Sequence, residues 1–197
     1  MGIPTGIKAV FLDRDGVCNP LCGADNLGNP ESPLCFQDFR IFSYVGEAIR
    51  KINQMGFSVF IVTNQPAVAK GKMSITELEK MHTALEQTVL RKGGKIEKIY
   101  YCLHHPDLKQ VVKKHLLRGC ECRKPKPGML LRAALEFRID LKKSWVIGDS
   151  WRDVLAGENA QCKTILVSPS EDILLKCKPN FTAENLLEAV KIIRKET

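Results

Sequence analysis

The 197-residue sequence has no apolar run near the roughly 18 residues needed to cross a bilayer, which excludes an ordinary membrane-spanning helix. Met1 to Lys8 does not lead a basic segment into a long apolar one, so an unsecreted, cytoplasmic protein is expected. There is no internal repeat, linker or low-complexity tract, and the length suits one core, so a single domain over 1–197 is expected. Acidic residues are outnumbered 22 to 30, leaving a net charge of +8 that suits polyanions or phosphorylated small molecules. Eight cysteines without a leader argue against a secreted disulfide framework and toward metal or thiol chemistry.

What is present is an alternation of short apolar runs and helical periodicity. Lys8 to Leu12 reads as a buried strand that stops at an acidic, glycine-containing turn. Residues 17–40 hold no period and are broken by Pro20, Gly23, Gly28, Pro30 and Pro33, a loop longer than most. Val45, Ala48, Ile49 and Ile52 follow helical spacing, and Phe57 to Thr63 is a second strand. Ser74 and Glu77 form a capping box ahead of a helix over 75–91, followed by a third strand from Ile96 to Cys102. Helices over 127–137, 152–159 and 184–194 and strands over 144–147 and 163–167 complete an α/β pattern. Such a pattern predicts a Rossmann-like three-layer sandwich with a mainly parallel sheet and a ligand site at the carboxyl ends of its strands.

The chemistry-bearing residues stand at those ends. Asp13-Arg14-Asp15-Gly16 follows the first strand, and Gly148-Asp149 follows the fourth, with Asp153 four residues on. Carboxylates gathered at one edge repel each other, and a hard cation such as Mg²⁺ relieves this with oxygen ligands. Thr63-Asn64-Gln65 follows the second strand, and Arg123-Lys124-Pro125 precedes a helix, adding a hydroxyl, amides and cations suited to a phosphoryl group.

These four motifs, in this order, resemble those of the haloacid-dehalogenase-like phosphohydrolases. Tyr101-Cys102-Leu103-His104-His105-Pro106, followed by Cys120-Glu121-Cys122-Arg123-Lys124-Pro125-Lys126-Pro127-Gly128-Met129, is similar to the zinc-bearing D-glycero-D-manno-heptose-1,7-bisphosphate 7-phosphatases and the related histidinol-phosphate phosphatases. The resemblance implies a capless fold with a zinc-binding loop. It implies a Mg²⁺-dependent phosphatase in which Asp13 attacks phosphorus to form an aspartyl-phosphate, and Asp15 protonates the leaving oxygen and then activates water. Asp13, Asp149 and the Asp15 carbonyl would hold Mg²⁺, Thr63 and Lys124 would bind the phosphoryl group, and Asn64, Gln65 and Arg123 would hold substrate. Asp153 is expected behind these groups or at a helix start, where an acid suits the dipole. The 7-phosphate of heptose bisphosphate is the expected target, feeding nucleotide-activated heptose for surface polysaccharide such as lipopolysaccharide. Histidinol phosphate and a nucleic-acid 3′-phosphate are the rivals.

Cys102, His104, Cys120 and Cys122 supply three thiolates and an imidazole, a set suited to a closed tetrahedral zinc site within 102–122. Buried or free thiols are the alternative reading of these cysteines. His105 competes with His104, while His82 and His115 are expected on the surface. No membrane or nucleic-acid partner is expected, and a monomer is. The sequence departs from the family at Val17, in Pro66-Ala67-Val68-Ala69-Lys70-Gly71, at Ser150 and in the long loop from Asn19 to Asp38. These positions bear on the substrate rather than on the transferred phosphoryl group.

Overall fold

The structure is a computed structural model and describes residues 6–23 and 31–197; Gly28 and Pro30 of the long first loop, and most of the segment before the first strand, lie outside the described residues. Five apolar runs and a sixth short one form the strands β1 (Lys8–Leu12), β2 (Phe57–Asn64), β3 (Lys98–Cys102), β4 (Trp145–Gly148), β5 (Lys163–Val167) and β6 (Phe181–Ala183). All pairings are parallel, in the order β3-β2-β1-β4-β5-β6. Between them run the helices α1 (Val45–Gln54), α2 (Ile75–Arg91), α3 (Gly128–Phe137), α4 (Trp151–Asn159), α5 (Glu171–Leu174) and α6 (Leu186–Glu196).

The two-residue period of β1 decides the layers. Val10 and Leu12 pack with α1, α2 and α6 on one face, while Ala9 and Phe11 pack with α3 and α4 on the other. On that second face Phe60 stacks on Phe11 at 5.5 Å and meets Phe137 edge-on at 5.0 Å, which anchors α3 to the sheet centre. Since α3 starts four residues after Lys124, this anchor also places the lysine.

Two boundaries shift by two residues from the sequence reading, and one cap is built differently. The third strand starts at Lys98, because Ile96 precedes the paired register. The last helix starts at Leu186, capped by the Asn185 side chain, because residues 181–183 form β6. The capping box of α2 is half built: Ser74 accepts from the Glu77 backbone at 3.1 Å, but the Glu77 carboxylate accepts from the Phe36 backbone at 2.7 Å. Glu77 therefore ties the first loop to α2.

Candidate active site

The central strands β1 and β4 end beside each other, and the Asp13 backbone N–H donates to Ile147 at 2.9 Å, so Asp13 and Asp149 leave the sheet side by side. The turn after Asp13 has no room for a side chain: Gly16 has φ +81°, and a Cβ there would overlap the Asp149 carboxylate. Glycine at this position is a condition for the two acids to meet.

Asp13, Asp149 and Asp153 each bring a ligand oxygen within 4.8 Å of the others. Asp153 is already engaged. Its Oδ1 accepts from Lys124 Nζ at 2.5 Å, and its Oδ2 accepts from the Ser150 hydroxyl and backbone at 2.6 and 3.1 Å, at the start of α4. Lys124 spends its other two N–H bonds on Asp13 Oδ1, at 2.9 Å, and on the Val62 carbonyl, at 2.7 Å. Burial opposes its charge, but Asp13 and Asp153 outweigh that and raise the Lys124 pKa, which favours the ammonium form.

Asp13 Oδ1 also accepts from the Arg14 backbone, at 2.7 Å, and none of the described residues donates to its Oδ2. Burial, and then repulsion by Asp153 and Asp15, push the Asp13 carboxyl up to about 7 against the pull of Lys124. Burial and the neighbouring Asp13 and Asp153 push Asp149 up to about 8. Burial and mutual repulsion at these two carboxylates are thus only partly offset by Lys124, an environment that a hard divalent cation would relieve.

Asp15, two residues on, has the opposite environment. Burial raises its pKa, but the fully buried Arg14 outweighs this with bonds from Nε at 3.0 Å and Nη2 at 2.7 Å, and Asn19 and Gln65 add two more donors, so Asp15 is held below the usual carboxylate range. Behind Arg14 lies His82, which the sequence placed on the surface. It is 6% exposed, its Nε2 is 3.4 Å from Arg14 Nη1, and burial followed by the arginine charge push it down to about 4. The sequence period of α2 does put His82 beside core residue Met81, a signal that reading it as a loose surface imidazole overlooked.

Thr63, Asn64 and Gln65 converge on the same edge, but the amides are turned to protein. Asn64 donates to and accepts from the Lys124 backbone, both at 3.1 Å, and Gln65 Nε2 donates to Asp15 and to Thr63. Both residues, expected to hold substrate, also line the cavity that Asp13, Asp15, Lys124 and Asp149 share. Arg123 donates to the His104 carbonyl at 3.2 Å and lines a cavity of about 410 Å³ together with Asp13, Asp15, Lys124 and Asp149. His105, Lys70, Lys72 and Arg152 line its outer wall, facing the cavity with an excess of positive charge. Lys72 is paired with Glu31 of the first loop at 2.5 Å, and both line the cavity.

Beyond β3, Cys102, His104, Cys120 and Cys122 bring one donor atom each within 4.8 Å of the rest. Sulfur–sulfur separations of 3.2, 3.3 and 3.5 Å exceed the roughly 2.05 Å of a disulfide. They approach the edge of about 3.7 Å for a tetrahedron with metal–sulfur bonds of about 2.3 Å. His104 Nδ1 lies 3.4 and 3.7 Å from two of the sulfurs. His105 points elsewhere, its Nδ1 accepting from the Asp107 backbone at 3.2 Å. Gly128 closes this loop onto α3, since a Cβ there would overlap the Glu121 carbonyl. His115 is exposed, as expected.

A parallel sheet with paired acids, a threonine and a lysine at its carboxyl edge is the arrangement of a haloacid-dehalogenase-like phosphatase. Residues 121–189 match a family model described as HAD-hydrolase-like. The D-glycero-beta-D-manno-heptose-1,7-bisphosphate 7-phosphatase of Pasteurella multocida is 33% identical, over 95% of this chain and 97% of its own. The D-glycero-alpha-D-manno-heptose-1,7-bisphosphate 7-phosphatase of Campylobacter jejuni is 35% identical over 83% of this chain and 84% of its own. Among solved structures, the D,D-heptose 1,7-bisphosphate phosphatase of B. bronchiseptica, complexed with magnesium and phosphate, superimposes with a TM-score of 0.80 at 26% identity, covering 97% of this chain and 100% of that one. The chain belongs to the family of heptose-1,7-bisphosphate 7-phosphatases.

Proposed function

We propose that the protein removes the 7-phosphate of D-glycero-D-manno-heptose 1,7-bisphosphate in a Mg²⁺-dependent reaction through an aspartyl-phosphate. The observation that carries this reading is the chain Asp153–Lys124–Asp13, which holds one oxygen of Asp13 against a buried ammonium and leaves the other without a donor among the described residues. Asp13 is then an oriented carboxylate nucleophile. Its free oxygen bonds to phosphorus as the phosphorus–sugar oxygen bond breaks, and Asp15, ionised in this structure, first takes up a proton from solvent and then gives it to the departing oxygen. Water then attacks phosphorus, Asp15 takes its proton, and the bond to Asp13 breaks to release phosphate. The Lys124 charge, 2.9 Å from Asp13 Oδ1, lies against the phosphoryl group throughout. Asp13, Asp149 and the Asp15 carbonyl would hold Mg²⁺, which supplies charge neutralisation between the carboxylates and the phosphoryl oxygens.

We also infer that Cys102, His104, Cys120 and Cys122 hold a structural zinc ion that shapes residues 102–122 and aims Arg123 at the outer wall of the cavity. The excess positive charge there suits a sugar with a second phosphate. The protein is read as a cytoplasmic monomer of one domain. The test is Mg²⁺-dependent phosphate release from both anomers of heptose 1,7-bisphosphate, from histidinol phosphate and from a 3′-phosphorylated oligonucleotide, with Asp13→Asn as blank. A preference of at least about a hundredfold in kcat/KM for one heptose anomer is expected. Equal turnover of all four compounds would refute the substrate assignment.

A further inference from the structure

Part of the cavity wall is a turn that a distant segment of the chain holds in place. Pro66, Ala67, Lys70 and Lys72 line the cavity, while Val68 and Ala69 between them are buried. The turn closes on itself through the Lys70 N–H, which donates to the Pro66 carbonyl, and the Lys72 N–H, which donates to the Ala67 carbonyl, each at 2.9 Å. Among the described residues the Ala69 carbonyl takes no part in that closure. It accepts instead from the backbone N–H groups of Val112 and Lys113, each at 3.0 Å.

A buried carbonyl needs a donor, and this one finds two outside its own turn. Val112 also sits against Gly71, whose φ of +71° is a conformation that glycine takes without penalty. A Cβ at Gly71 would lie 3.3 Å from Val112 Cβ. Val112 is 72% exposed, so burial of its side chain is not what brings the segment onto the turn. The segment is itself rooted in the fold. The His105 N–H donates to the Leu116 carbonyl at 3.2 Å, the Leu116 N–H donates to Lys113 at 2.8 Å, and Leu103 and Leu116 pack against the core shared by α1, α2 and α6. A path of contacts thus runs from the core through Leu116 and Lys113 to Ala69, next to Lys70.

We propose that the backbone of Val112 and Lys113 is a clamp that positions the turn 66–72, and through it Lys70, for substrate binding. The clamp does not touch the reacting atoms. Asp13 and Asp149 are held by β1 and β4, and Lys124 by Asp153 and the Val62 carbonyl, so the chemistry keeps its own frame when the turn moves. Releasing the clamp therefore raises KM and spares kcat, the mark of an interaction made equally in the ground and transition states. Only the choice of substrate for the test rests on the heptose bisphosphate reading.

Lys113 has φ −85°, near the roughly −65° of proline, so Lys113→Pro deletes its N–H with little change of backbone. Lys113→Ala keeps that N–H and removes only the ammonium, and Gly71→Ala disturbs the same contact from the other side. Each variant is assayed on the anomer of heptose 1,7-bisphosphate that the unaltered enzyme turns over faster, and amide exchange is followed over 67–73. Lys113→Pro and Gly71→Ala should raise KM about tenfold with kcat within about twofold, and should speed exchange at Lys70 and Lys72. Lys113→Ala should do neither. Lys70→Met should raise KM to a similar extent, and Lys113→Pro added to it should raise it no further. Unchanged exchange in Lys113→Pro, a fall in kcat with KM held, or the same effects from Lys113→Ala would overturn the proposal. If the unaltered enzyme does not turn over heptose bisphosphate, the substrate reading falls, and the clamp stands or falls by the same KM and exchange changes on the phosphate ester turned over fastest.

Discussion

The carboxylate site and the cysteine cluster both gather groups that fit a cation, but they are held in opposite ways. Asp13 and Asp149 leave adjacent parallel strands, and Lys124 is pinned to Asp153 and to the Val62 carbonyl, so the acids stay together through the sheet itself. The cysteines sit on a segment whose only regular element between β3 and α3 is a 3-10 turn at Lys114–Leu116, and their mutual contacts are sulfur–sulfur and sulfur–nitrogen approaches of 3.2–3.7 Å. Such contacts are weak without a metal. A rigid frame can tolerate unneutralised charge and use it for chemistry. On the zinc reading proposed above, a loop without such a frame would take its shape from the ion.

Asp13→Asn should give the largest effect, a fall in kcat on the order of 10⁵, with zinc content and unfolding midpoint near those of the unaltered protein. Trapping of labelled phosphoenzyme, present before and absent after the change, checks the role directly. Next, Lys124→Met would strand two acids at a site where both Lys124 and Asp153 side chains are almost fully buried. It should cost about 3–5 kcal/mol in urea unfolding and abolish turnover. A change under about 1 kcal/mol would mean that the carboxylates do not depend on the lysine.

The zinc half of the comparison is tested by Cys120→Ser. Loss of bound metal should lower amide-exchange protection across 102–122 and reduce kcat/KM by about 10–100-fold through Arg123 and Lys124. Removing Mg²⁺ should stop turnover and leave that protection unchanged. If zinc loss leaves exchange untouched, the two sites are held alike and the contrast fails.

A smaller effect concerns pH. Asp13 and Asp149 have folded pKa values raised above the ordinary value, to about 7 and 8, so the folded state binds more protons than the unfolded one. Their contribution to stability is fully present below the unfolded pKa near 3.8 and is lost as pH rises through about 7 to 8. Asp15 works the other way, its stabilisation being present above 3.8 and lost as acid titrates it. The rise in Tm on adding Mg²⁺ should therefore grow between pH 5 and about pH 8, and a constant rise would contradict the raised values. The smallest effect belongs to Ser74→Ala, far from both sites, which should cost about 1 kcal/mol for the lost cap of α2 and leave kcat unchanged.

Much of the frame was legible without coordinates. Apolar runs such as Val59 to Val62 are buried strands whatever surrounds them, and acids placed just past such runs must share the sheet edge. The Cys-x-His and Cys-x-Cys spacing likewise brought out four ligands that the structure clusters. The three residues of β6 escaped because they are short and only partly buried, with no period to read. His82 was misread because a histidine is at home on either face of a helix, and only the approach of Arg14 makes it a buried neutral partner.

What the sequence determined by itself was the alternation of strands and helices, the sheet edge that carries the acids, and the inventory of donors, because these follow from near-neighbour periodicity and residue chemistry. What only the tertiary structure decided was how those donors are shared: Asp153 on Lys124, Gln65 between Asp15 and Thr63, Asn64 on the Lys124 backbone. Those partners are 2 to 60 residues apart. Most of them meet only when β1, β2 and β4 pair and α3 docks, so opposite ionisation of Asp13 and Asp15, two positions apart, is a property of the fold and not of the motif.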